Sequence, residues 1–127
     1  MKTLISAAAL AVFAAEPAGA GQPFEESLVE CAVLIELMTG EQTPVPGESP
    51  EMDYYVGTAA NMRSEAARRR DASYVQSTAD EKRQLWHNRW DAGQWDNAEN
   101  REELGEWWTY CFKFAEHLGA EGPTPFN

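Results

Sequence analysis

Two cysteines, two histidines and five tryptophans hold most of the chemical possibilities in this chain of 127 residues. Cys31 and Cys111 are the only thiols. A thioredoxin-type redox centre needs two cysteines separated by two residues, and that spacing is absent. In an oxidising compartment, two cysteines of one small domain pair as a structural disulfide. A Cys31–Cys111 bond is therefore expected in preference to two buried free thiols.

His87 and His117 do not form the i, i+4 pair of a zinc-binding helix, and structural zinc takes more His or Cys ligands than the chain supplies. No C-x-x-C-H segment is present for covalent haem attachment. Met52 or Met62 could join His87 as haem ligands, but these methionines fall at the spacing of a core stripe, where packing accounts for them. No metal and no cofactor is expected. Ser27, Ser49, Ser64, Ser73 and Ser77 lack the glycine-framed turn that activates a serine nucleophile. The paired acids Glu25-Glu26 and Glu102-Glu103 lie near helix starts, where the dipole and water satisfy them, so they identify no acid–base couple. No catalytic residue is assigned, and an enzymatic role is not expected.

The tryptophans are Trp86, Trp90, Trp95, Trp107 and Trp108, all in the second half of the chain. Most are expected to build the core and its rim. Trp107 and Trp108 are adjacent and cannot face the same way, so Trp108 is expected to turn toward Trp86 or Trp90 on the third helix. Trp and Arg dominate the energetics of protein interfaces. Trp95, Arg89, Asp91 and Trp108 are accordingly the candidate binding surface. The run Arg68-Arg69-Arg70 resembles an anion site, but three successive helical residues point in different directions. A structural role is expected for it.

Four helical segments position these residues. The first, from about Pro23 to Met38, carries the stripe Phe24, Leu28, Cys31, Ile35 and Met38 at alternating spacings of four and three. Gly40 should end it in a left-handed turn. A loop with Pro44, Pro46 and Gly47 leads to Ser49-Pro50, a cap and first turn for a second helix reaching about Gln76. Thr78 to Glu81 fits a capping box for a shorter third helix ending near Asp91. The second and third helices are either kinked or continuous there. The fourth spans about Ala98 to Leu118, with Asp96 or Asn97 as its cap and Gly119 as its stop. Residues 121–127 are expected to fray.

The pattern predicts an all-α fold: a small antiparallel four-helix bundle of three long helices and one shorter, with helices one and four joined by the disulfide. Aligning Cys31 with Cys111 places Phe24 opposite Leu118, Leu28 opposite Phe114, Ile35 opposite Trp107 and Met38 opposite Leu104. Each of these layers is apolar.

Residues 1–20 read as a cleavable export signal: Lys2, an apolar run from Leu4 to Ala15, and the small residues Ala18-Gly19-Ala20. That run is too short to span the roughly 30 Å apolar layer of a membrane. Residues 21–127 then form a single helical domain, secreted or periplasmic, with no membrane insertion of the mature chain. The net charge is −11, and removal of residues 1–20 takes away one base and one acid and leaves it unchanged. Such a charge repels phosphate backbones and anionic lipids, which excludes nucleic acid and leaves a basic protein as a possible partner. The expected function is a non-enzymatic interaction or inhibitor-type binding protein. The alternative is a small-ligand or cofactor carrier with an aromatic pocket inside the bundle.

Overall fold

In the computed structural model, residues 22–40, 47, 49–90 and 97–123 are described, residue 90 by its backbone alone. They form four helices: α1 (Phe24–Thr39), α2 (Pro50–Arg69), α3 (Ala72–Trp90) and α4 (Ala98–Leu118). No strand is present among the described residues, and no helix is long and apolar enough to cross a membrane. The proposed signal 1–20, most of the Pro44–Pro46 loop region, Asp91, Trp95 and residues 124–127 lie outside the described residues.

The helix ends follow local chemistry. Gly40 and Gly119 take left-handed conformations, at φ 77° and 69°, and close α1 and α4. Ser49 caps α2, its hydroxyl accepting from the Met52 amide, with Pro50 at the first turn. Asn97 is the cap of α4, accepting from the amides of Glu99 and Asn100.

The boundary between the second and third helices differs from the sequence expectation. The chain breaks at Arg70 (φ −120°, ψ −93°), and Asp71 starts α3 by accepting from the Tyr74 amide at 2.7 Å. Thr78 and Glu81 lie inside α3, which has 19 residues and is longer than the 16-residue α1. The reason is a buried stripe of Val75, Ala79, Lys82 and Trp86. Its spacing of four, three and four runs through the apparent capping box, and its third member is a lysine that an apolar pattern overlooks.

The core is built around α1. Every residue from Ser27 to Glu36 is buried, because Val29, Ala32, Val33 and Leu34 fill the faces that the Leu28–Cys31–Ile35 stripe leaves. A helix apolar on all sides must be covered on all sides. α1 packs most widely on α2, less on α3 and least on α4. Arg69 near the end of α2 lies over the Phe24 ring at the start of α1, so these two helices run antiparallel.

Cys31 and Cys111 are disulfide-bonded, with Cα atoms 5.4 Å apart, and join α1 to α4. The packing around the bond departs from the expected layers at their ends and brings in α3. Phe24 meets Phe114 edge-on at 5.1 Å, Trp107 packs against Trp86 of α3, and Met38 is 41% exposed. The two helices meet closely at the disulfide, while α3 supplies the partner for Trp107.

Candidate functional site

Charged groups buried among helices are the first place to look for chemistry, and α1 carries two of them. Glu30 accepts from the Trp86 indole N–H at 2.9 Å and from the Gln22 amide at 3.0 Å, and its carboxylate pairs with Lys82 at 3.2 Å. Lys82 also donates to Glu26 at 2.6 Å. Burial opposes the Lys82 ammonium, yet the hydrogen bond to Glu26 and the charges of Glu30 and Glu26 outweigh it and raise its pKa. Glu36 accepts from Arg63 at 2.7 Å and from Arg83 at 3.1 Å. The Glu36 hydrogen bond holds the Arg63 guanidinium above its ordinary pKa despite partial burial. The apolar layers expected from the stripes thus omit these charges: three cations from α2 and α3 reach inward to the two glutamates. These ion pairs and hydrogen bonds tie α1 to α2 and α3.

The arginine run is engaged in the same way. Arg68 and Arg69 both donate to Glu65, and Arg69 also covers Phe24 with its guanidinium carbon 4.3 Å from the ring centroid. Arg70 lies 4.1 Å over Tyr74. The three side chains serve the fold in three places.

Of the candidate surface residues, Asp91 and Trp95 lie outside the described residues. Arg89 bonds Glu103 of α4 and lies 5.1 Å over the Trp86 ring, linking α3 to α4. Trp108 is half-buried and faces α2, where it packs on Tyr55 at 5.5 Å and on Phe112 at 4.8 Å. Its expected place on α3 is taken by Trp107. Arg89 and Trp108 therefore join different helix pairs and do not share one partner within the described set.

Around Trp108 the structure assembles a site that the sequence reading did not identify. Tyr54 and Tyr55 of α2 meet Trp108 and Phe112 of α4, and Tyr54 stacks on Phe112 at 5.6 Å with an interplanar angle of 21°. The four half-buried rings floor a groove of about 320 Å³. Thr109, Lys113, Glu116 and Glu121 form its sides. Tyr54 and Tyr55 are i and i+1 on one helix, and a search for i, i+4 aromatic pairs passes over them.

The chain beyond α4 closes one end of the groove. Residues 121–123, expected to fray, are held along α2. The Gly122 amide donates to Thr58 Oγ1 at 2.9 Å, and the Asn61 side chain donates to the carbonyls of Ala120 and Glu121. Pro123 lies over Gly57, where an added Cβ would meet its Cδ at 3.1 Å. This close approach is what a glycine inside α2 permits. Glu121 is thereby placed to accept from the Tyr54 hydroxyl at 2.8 Å. Partial burial, that hydrogen bond and the charges of Glu121 and Glu116 push the Tyr54 hydroxyl up to about 12. The groove combines half-buried aromatic rings with a negative rim.

Among the described residues no cluster of three or more His, Cys, Asp or Glu is arranged to hold a metal. His87 is half-buried on α3, and His117 is exposed near the end of α4. Met62, offered by the sequence as a haem ligand, is fully buried in the core. Compared with protein-family models, with curated proteins and with solved structures, the chain matches none.

Proposed function

We propose that this is an exported, non-enzymatic binding protein that engages another protein through the groove between α2 and α4. The observation that carries the reading is the cluster of Tyr54, Tyr55, Trp108 and Phe112, half-buried in a surface groove of about 320 Å³. Tyrosine and tryptophan give large contact areas with few rotatable bonds, the composition of interface anchors. The rim carboxylates and the net charge of −11 favour a basic protein over nucleic acid or an anionic membrane. Export is supported by the three-part signal at residues 1–20 and by a disulfide of the kind that persists in oxidising compartments. The carrier alternative needs a hollow interior, and the ten buried residues from Ser27 to Glu36 on the central helix favour a filled one.

The test is crosslinked capture from envelope extracts with four baits: wild type, Trp108→Ala, Thr109→Tyr and Leu85→Ala. Thr109 is exposed on the groove wall, so Thr109→Tyr obstructs the groove without touching the core. Leu85 is exposed on α3 and is not among the groove residues. The expected result is a protein retained by wild type and Leu85→Ala and lost with both groove variants. The same proteins on all four baits would overturn the reading.

A further inference from the structure

Elsewhere in the molecule, aromatic rings already carry a guanidinium supplied by the chain. Arg69 lies over Phe24, Arg70 over Tyr74 and Arg89 over Trp86. Among the described residues, no guanidinium lies over Tyr54, Tyr55, Trp108 or Phe112. The groove has the other components of such a contact: half-buried rings that line it and two carboxylates, Glu116 and Glu121, beside them. Lys113 on the same rim brings one positive charge against those two, so the sign of the rim stays negative.

We infer that the groove receives an arginine side chain presented by a basic segment of the partner protein. The guanidinium lies flat on the Trp108–Phe112 aromatic surface, with Glu116 and Glu121 as its counter-charges. The inference rests on the reading of the groove as a partner-binding surface and specifies what that partner brings.

Three features select this occupant. First, the rings touch one another, with centroids 4.8–5.6 Å apart. No space is left between them for a compact quaternary ammonium, so they offer a ledge and not a cage. A planar guanidinium stacks on such a ledge, whereas a lysine ammonium is a strongly hydrated point charge with no flat face. Second, a second copy of this chain is a poor occupant. It carries net charge −11, and Arg63, Arg68, Arg69, Lys82, Arg83 and Arg89 are each already paired with a carboxylate. Third, the negative field at the groove acts on a group already in it: the charges of Glu116 and Glu121 help keep the Tyr54 hydroxyl protonated, and the same charges attract a cation.

The probe is an amidated tetra-arginine peptide added to the isotope-labelled, disulfide-intact protein. It is compared with tetra-citrulline, which has the same shape without the charge, with tetra-lysine and with tetra-glutamate. Tetra-arginine should shift the Trp108 indole signal and the backbone signals of Tyr54, Tyr55 and Phe112, with tetra-lysine weaker and the two uncharged or acidic peptides silent. Glu116→Gln with Glu121→Gln should weaken the arginine peptide by about tenfold. Because Glu121 also bonds Tyr54, Glu116→Gln alone is the second variant and should give a smaller loss in the same direction. Equal binding of tetra-citrulline, or shifts spread over acidic residues away from the groove, would overturn this inference while leaving partner capture by the groove intact. Capture that ignores Trp108→Ala and Thr109→Tyr would remove both.

Discussion

The indole nitrogen of Trp86 donates to the carboxylate of Glu30 at 2.9 Å, with both residues buried and Glu30 next in sequence to the disulfide-bonded Cys31. A tryptophan on α3 thus gives a buried charge on α1 one of its partners, and Lys82 gives it the cationic one, beside the Gln22 amide. Removing one partner of a buried charge costs more than replacing the whole pair by apolar groups. Lys82→Met is expected to destabilise the fold by about 3 kcal/mol. Glu30→Leu combined with Lys82→Met should be milder than Lys82→Met alone. Urea unfolding of the two variants checks the order, and a milder single variant would show that Glu30 does not depend on Lys82.

The disulfide spans a sequence separation of 80 residues. In the chain-entropy model a loop of that size contributes about 4.5 kcal/mol. Reduction should lower the unfolding midpoint substantially and leave the circular dichroism helical, because the core packing around α1 persists without the bond. Thiol counting in denaturant without reductant should give no reactive thiol in the freshly isolated protein. Two reactive thiols per chain would contradict the bond.

Tyr54 gives a pH dependence with a defined sign. Its hydroxyl is raised from 10.0 to about 12 in the folded protein, by partial burial and then by Glu121. The unfolded chain therefore loses this proton first as pH rises. The stability linked to Tyr54 is complete below about pH 10 and is lost as pH rises through 12. Tyr54→Phe should flatten this part of the stability curve, measured by urea midpoints across the alkaline range. An unchanged alkaline slope in Tyr54→Phe would assign the effect elsewhere.

Two glycines should respond to alanine in opposite directions. A Cβ on Gly122 would come within 2.6 Å of the Tyr54 carbonyl and 3.0 Å of the Thr58 amide. Gly122→Ala should therefore undock residues 121–123, costing about 1–3 kcal/mol and raising amide exchange at Gly122. A Cβ on Gly105, inside α4, meets nothing within 4 Å. Gly105→Ala should stabilise the helix by about 0.5–1 kcal/mol. Thermal unfolding of the pair measures both, and equal signs would refute the packing of the tail on α2.

Export is tested by mass. The Ala18-Gly19-Ala20 site predicts a mature chain beginning at Gly21. Intact mass spectrometry of the exported protein reads the start directly, and a product beginning at Met1 would refute cleavage.

The sequence carried the parts of the fold that depend on neighbours along the chain. Ser49-Pro50, Asn97, Gly40 and Gly119 act locally, and each cap appears where its residue type implies. The cysteine pairing was legible because only one intrachain pairing exists for two thiols. What could not be read depends on residues brought together from different helices. Lys82 belongs to the buried stripe of α3 only because Glu26 and Glu30 meet it there, so the true start at Asp71 lost to the capping box at Thr78. Glu30 and Glu36 look like surface acids until their cations arrive from α2 and α3. The groove needed Tyr54 and Tyr55 to meet Trp108 and Phe112 across two helices more than fifty positions apart. It also needed the tail to place Glu121 at its end. Trp108 was named by composition, but its neighbours were assigned to the wrong helix.

The bond between Cys31 and Cys111 also bears on survival among proteases. α2 and α3 lie wholly within the stretch that it encloses. A single backbone cut anywhere between residues 31 and 111 yields two fragments that remain covalently attached, with the central helix still tied to α4. Such a nicked molecule keeps its groove-forming helices in one particle, and a piece leaves only after reduction, a cut outside the enclosed stretch or a second cut within it.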